Sequence, residues 1–107
     1  MYEVEQTDAF GRWEMSIKDK KARLAIHKRI RDIAATGQLL GDWKSVGDGV
    51  FELRFHSGPG YRVYLARRGF KLILLLMGGT KQSQQRDIAY AKQLWNRWKE
   101  QHGSRIL

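Results

Sequence analysis

Gly49-Val50-Phe51-Glu52-Leu53-Arg54-Phe55-His56-Ser57-Gly58-Pro59-Gly60-Tyr61-Arg62-Val63-Tyr64-Leu65 is the stretch that decides the fold. In its first half Phe51, Leu53 and Phe55 alternate with the ionisable Glu52, Arg54 and His56. Successive strand side chains point to opposite faces, so the apolar set enters a core and the other set makes a row of acid, cation and imidazole. Ser57-Gly58-Pro59-Gly60 reads as a turn, because Pro59 fixes φ and its flanking glycines accept positive φ. A second strand, Tyr61 to Ala66, returns Arg62 and Tyr64 to the ionisable face if Tyr61, Val63 and Leu65 are core. The hairpin gathers Glu, Arg, His, Arg and Tyr on one surface, which has the composition of a site.

Upstream, Tyr2 to Glu5 alternates weakly and reads as a short strand. Thr7 or Asp8 can cap a helix carrying Phe10, Trp13 and Ile17 at helical spacing. Asp19 caps a second helix, in which Ala22, Ile26, Ile30 and Ile33 form one apolar stripe and Gly37 gives a left-handed stop. Lys20, Lys21, Arg23, His27, Lys28, Arg29 and Arg31 lie off that stripe. Trp43 to Val46 reads as a short strand, and Gly47-Asp48-Gly49 as a turn. Downstream, Arg67-Arg68-Gly69 reads as a turn. Phe70 to Met77 is almost wholly apolar and suits the most buried strand of a sheet, ended by Gly78-Gly79. From Ser83 the helical period returns in Ile88, Ala91, Trp95 and Trp98, and Gly103 onwards reads as a frayed tail. The order β-α-α-β-β-β-β-α, with helices gathered mostly before an antiparallel meander, is that of an α+β domain spanning residues 1–107.

The chain has 107 residues, no cysteine and a formal net charge of +9. That length holds one core and one or two packed layers. Without cysteine there is neither a disulfide framework nor a thiolate metal site, and a reducing cytoplasm is the expected location. The acidic, polar start is unlike a signal peptide, and the apolar run Leu72–Met77 is far too short to cross a bilayer, so no membrane role is expected. The excess of Lys and Arg, part of it on the strand face above, favours a polyanionic partner, nucleic acid above all.

Gly-Asp-Trp-Lys-Ser-Val-Gly-Asp-Gly-Val-Phe-Glu-Leu-Arg (41–54), then His-Ser-Gly-Pro-Gly-Tyr-Arg-Val-Tyr (56–64) and Leu-Leu-Leu-Met-Gly-Gly-Thr-Lys-Gln-Ser-Gln-Gln-Arg-Asp-Ile (74–88), resemble the RelE/ParE superfamily of toxins. Within it they look closest to the HigB-like addiction module killer proteins. The resemblance implies a RelE-like fold, a twisted antiparallel sheet with two N-terminal helices on one face and a C-terminal helix at its side. It implies an endoribonuclease cutting messenger RNA, often on the ribosome. The implied partner is a helix-turn-helix antitoxin, and the pair would bind its own operator DNA. The ParE branch shares the fold but poisons DNA gyrase, so the fold alone leaves two activities open. A non-toxic nucleic-acid-binding descendant of the fold is a third reading.

Cleaving RNA without a metal needs a base for the 2′-hydroxyl, cations for the phosphorane and an acid for the 5′-oxygen. No metal or other cofactor is implied, since His27, His56 and His102 fall on three different segments. Arg54 and Arg62 are candidates for clamping phosphate, because guanidinium matches its oxygens with paired hydrogen bonds. The resemblance assigns the same role to these positions and adds Lys81 as a further functional cation. Glu52 and His56, flanking Arg54, could share the proton transfers. Alternatively Glu52 pairs with Arg54 or Arg62 across the hairpin, and His56 is an exposed turn residue. Tyr64 could stack on a base or be a half-buried strand tyrosine, and Arg67 and Arg68 are turn charges within reach of RNA backbone. Trp43 or Trp98, where exposed, are candidate anchors for the antitoxin.

Overall fold

The computed structural model describes residues 1–103. A five-stranded sheet in the order β1-β5-β4-β3-β2 carries helices on both faces. Its strands are β1 (Glu3–Gln6), β2 (Trp43–Gly47), β3 (Val50–Arg54), β4 (Tyr61–Arg68) and β5 (Leu72–Thr80). The helices are α1 (Asp8–Ser16), α2 (Lys20–Thr36) and, after a 3₁₀ turn at Lys81–Ser83, α3 (Gln84–His102). The element order expected from the sequence is therefore present. The tail expected from Gly103 onwards lies, beyond Gly103 itself, outside the described residues.

The strand alternation fixes which residues meet which helices. Leu53, Phe55, Val63, Leu65, Ile73 and Leu75 face α1 and α2, where Phe10 and the Ala22–Ile26–Ile30–Ile33 stripe pack against them. On the opposite face Val50, Tyr64, Ala66, Leu74 and Leu76 meet Ala91 and Trp95 of α3. Each such fully buried aliphatic side chain contributes roughly 1.5–3 kcal/mol. Thr7 caps α1 by accepting from the Phe10 amide, and its own hydroxyl donates to the Leu76 carbonyl at 2.7 Å, so the cap also ties the helix to β5.

Four expectations need correction. β1 runs parallel to β5, pairing Glu3–Gln6 with Leu72–Leu75, so the sheet is mixed rather than antiparallel throughout. α3 lies across the second face instead of beside the sheet, and the face carrying the ionisable residues is consequently covered. Phe70 is 90% exposed: it sits in the β4–β5 turn, and the buried strand begins two residues later. Gly78 and Gly79 do not end β5 but are paired within it. A Cβ on Gly78 would lie 2.0 Å from the Trp13 ring, and one on Gly79 would lie 1.8 Å from a carboxylate oxygen of Asp87. The two glycines admit one side chain from each helical layer directly onto the strand.

Candidate active site

β3 and β4 set Arg54 opposite Arg62 on the face covered by α3, with Glu52 opposite Tyr64 one step along. Like charges placed directly opposite on antiparallel strands repel, so the pair requires compensation. Arg54 receives it. Its Nε donates to Glu52 Oε1 at 2.8 Å, and Glu52 Oε2 accepts from the Tyr64 hydroxyl at 3.0 Å and from Gln84 Nε2, on the first turn of α3, at 2.8 Å. Glu52 is 0% exposed. Burial alone would raise its pKa, but the hydrogen bonds from Arg54, Gln84 and Tyr64 outweigh that and hold it below the ordinary carboxylate value. The same bond to Glu52 raises the pKa of Arg54, keeping the guanidinium charged. Burial, followed by the charge of Glu52, pushes the Tyr64 phenol well above its usual range.

Arg62 is treated differently. It is 6% exposed, and its Nε is buried with no hydrogen-bond partner. Its neighbour across the turn is Lys81: a Cβ on Gly60 would lie 3.3 Å from the Lys81 Cβ and 3.6 Å from Arg62 Nη1, so Gly60 lets the two approach. The Lys81 amide donates to the Gly60 carbonyl at 2.9 Å, fastening the 3₁₀ turn to the hairpin. Beyond it opens a polar cleft of 860 Å³ lined by Lys81, Gln82, Gln84, Gln85 and Arg86 among others. One carboxylate reaches this layer: Asp87, buried above Gly79, which accepts from the Ser83 hydroxyl.

His56 stands past the end of β3 with its side chain 72% exposed, and its Nε2 is 2.6 Å from Asp42 Oδ2. Asp42 is set across from Arg54, whose amide donates to the Asp42 carbonyl at 2.8 Å. The carboxylate of Asp42 also contributes to raising the pKa of Arg54, so one acid links the imidazole to the arginine pair. The sequence reading missed Asp42, because its proximity depends on the β2–β3 register. The only local signal was its place in the Gly41-Asp42-Trp43 approach to that strand.

Arg54, Arg62 and Lys81 thus meet in one cluster, with His56 at its edge. Glu52 and Tyr64 belong to the layer beneath. Neither has surface left for substrate, so Glu52 is an ionised anchor for Arg54 rather than an accessible base, and Tyr64 cannot stack on a base. Arg67 and Arg68 lie at the far end of β4. Arg67 donates to the Gly37 carbonyl at 3.0 Å on the α2 side, and Arg68 caps α3 through the Gly103 carbonyl while lying over the Trp98 ring. They serve helix ends, away from the cluster. Trp43 is 41% exposed on the outer strand, whereas Trp98 is stacked between Trp95 and His102. Among the described residues no group of three or more His, Asp or Glu is placed to hold a metal ion, and no helix is long and apolar enough to cross a membrane.

No family model matches the chain. It is 41% identical over 92 residues to an uncharacterised protein of Haemophilus influenzae Rd, across 86% of this chain and 91% of that protein. The chain belongs to that protein's family. Among solved structures, this member of the family is similar to the E. coli toxin RelE in its free state, a double-mutant form, with a TM-score of 0.68 at 11% identity, covering 84% of this chain and 93% of that one. It is similar also to the intact E. coli RelBE toxin–antitoxin complex, with a TM-score of 0.63 at 11% identity over 75% of this chain and 96% of that one. The family's fold is therefore RelE-like.

Proposed function

We propose that the chain is the toxin of a type II toxin–antitoxin module of the HigB-like kind. It would act in the cytoplasm as an endoribonuclease on messenger RNA at the ribosome, and a DNA-binding antitoxin would hold it inactive. The observation that carries this reading is the opposed Arg54–Arg62 pair, with Arg62 Nε buried and unpartnered beside Lys81. A phosphate group is the partner such a cluster lacks. The RelE-like fold and the likeness to a toxin–antitoxin complex support the biological setting.

In this reading Arg54 and Arg62 hold the scissile phosphate, and Lys81 adds positive charge on the side of the α3 cleft. His56, oriented by Asp42, takes the proton from the 2′-hydroxyl. The 2′-oxygen attacks phosphorus, the bond from phosphorus to the 5′-oxygen breaks, and a cyclic 2′,3′-phosphate remains on the upstream fragment. The leaving 5′-oxygen takes a proton from the imidazolium formed in the first step, restoring the starting state. Cationic side chains supply the charge stabilisation that a metal provides in other nucleases.

The test maps messenger RNA 5′ ends after brief induction of the wild type and of Arg54→Ala/Arg62→Ala, alongside ribosome profiling. New ends that follow the reading frame and vanish in the variant are expected. Growth arrest with intact messages would overturn the ribonuclease reading and point to a gyrase-binding, ParE-like toxin.

A further inference from the structure

Arg29, on α2, is the residue to which the outer edge of the cluster is fastened. Its Nε donates to the Leu40 carbonyl at 2.6 Å, Nη1 to the Arg54 carbonyl at 2.6 Å and Nη2 to the Asp42 carbonyl at 2.5 Å. The guanidinium lies 4.7 Å from the centre of the Phe55 ring. It is pressed against Gly41, where a Cβ would come within 2.7 Å of Cζ, so the loop can close on Arg29 only with glycine at that position. Three carbonyls from two separate segments, the loop after α2 and the end of β3, converge on one planar fork. An ammonium group, a compact charge on a flexible stem, cannot reproduce that geometry.

This arrangement exceeds what the fold alone requires. Asp42 is exposed and lies just outside the β2–β3 ladder, and fixing such a loop costs about 1–2 kcal/mol per residue in backbone entropy. Yet its carbonyl is held twice, by Arg29 and by the Arg54 amide, and its carboxylate meets His56. Arg54 is bound to the same assembly through both its amide and its carbonyl. The one side chain common to all of this is Arg29.

We propose that Arg29 is a positioning residue: it holds Asp42, and through Asp42 the His56 imidazole, in register with Arg54. The inference rests on the ribonuclease reading for its kinetic consequence and on geometry alone for its structural one. Misplacing a reacting group by about 1 Å can cost on the order of 100-fold in rate. Of the phosphate-binding cations, Arg62 and Lys81 stand on elements that Arg29 does not touch, and the Arg54 guanidinium, though Arg29 holds the Arg54 carbonyl, is fixed separately by Glu52. Removing the fork should therefore lower kcat and leave KM nearly unchanged.

The test uses Arg29→Met, which retains an apolar stem over Phe55 without donors, and Arg29→Lys, each first shown to be folded by urea denaturation. In cleavage of a short RNA, Arg29→Met should reduce kcat about 10- to 100-fold with KM within about threefold, and Arg29→Lys should restore little of it. In a His56→Ala background the same substitution should cost less than about threefold, because its route to the reaction is already gone. An equal loss in both backgrounds would overturn the proposal, as would a rate within threefold of wild type. Independently of any activity, the His56 ring ¹H–¹³C signals of Arg29→Met at fixed pH should move to those of Asp42→Asn. Unmoved signals overturn the proposal too. If wild-type protein cleaves no RNA, the ribonuclease reading fails, and the ring signals alone decide whether Arg29 positions His56.

Discussion

Arg62 and Arg68 stand on the same face of β4, near its opposite ends, and α3 passes over both, but the two ends use their arginines in opposite ways. At the far end Arg68 lies 5.2 Å from the Trp98 ring centre, and Trp98 is itself stacked on His102 at 3.8 Å. Arg68 also donates to the carbonyl of Gly103, the residue that ends α3, although its Nη1 is buried without a partner. Its charge is absorbed by an aromatic face and a helix C-terminus, the two partners a cation finds without any carboxylate. At the near end Arg62 likewise has a buried nitrogen without a partner, but its strand partners are Arg54 and Gly79, with Lys81 beside the turn and the Asp87 carboxylate seated over Gly79. One end of the sheet has spent its positive charge on structure. The other gathers three cations, Arg54, Arg62 and Lys81, around the buried carboxylates of Glu52 and Asp87.

The contrast breaks most severely at Glu52, the acid that makes the near end tolerable. Glu52→Ala leaves Arg54, the Tyr64 hydroxyl and Gln84 without their common acceptor, and should cost about 3 kcal/mol in urea denaturation. The pH dependence has a definite sign. Because the folded-state pKa of Glu52 is lowered, its ionised form contributes stability above the ordinary carboxylate pKa of about 4.3, and that contribution is lost as pH falls through the folded value. Below about pH 4.3 the wild type should lose stability more steeply than Glu52→Gln; parallel curves would mean that the buried carboxylate is not ionised.

Next in size is the exchange of stability against activity at Arg62. Arg62→Met should lower RNA cleavage about 100- to 1000-fold while leaving stability unchanged or raised, since it removes a buried cation set between Arg54 and Lys81. A clear loss of stability would mean that Arg62 is structural after all. Arg68→Met should do the reverse, costing about 1–2 kcal/mol with cleavage within twofold of wild type. If cleavage collapses there as well, the two ends are not separate in function. The smallest effect belongs to Lys81→Gln: RNA affinity should weaken a few-fold, and the slope of log K against log salt should fall by about one. An unchanged slope would remove Lys81 from the phosphate contacts.

The sequence made the near end legible only in projection. Alternation from Phe51 to Phe55 correctly sorted Glu52 and Arg54 from the core of the α1–α2 face, and the Gly-Pro-Gly turn correctly returned Arg62 to the same side. What alternation cannot reveal is whether a face is covered. The Trp95 stripe of the last helix demanded a partner, and the partner proved to be the face that carried the charges, so Glu52 and Tyr64 became interior residues. Phe70 was misplaced for a related reason: an apolar run does not mark where a turn stops and a strand begins, and the four residues Ile73–Leu76 fill the buried positions without it. Asp42 was invisible because its carboxylate reaches His56 only through the β2–β3 register, and Arg29 because its partners are backbone carbonyl oxygens, which carry no side-chain signature. Arg67 and Arg68 read as turn charges within reach of RNA, but β4 continues through both before the turn, and a cation near a strand end looks the same in sequence whether its partner is a phosphate or a backbone carbonyl.

The parallel pairing of β1 with β5 bears on when this molecule can come into being. Glu3–Gln6 have no strand to join until Leu72–Leu75 have been synthesised, and the cluster itself needs Asp42, the hairpin and the start of α3. Contacts that span most of a chain are made late and slowly, since the long loop must close before any pairing rewards it. A nascent chain that has only just left the ribosome exit tunnel as far as β4 has the arginines but not the sheet that sets them beside Lys81 and Gln84. The cluster is therefore one of the last parts of the molecule that the growing chain can complete.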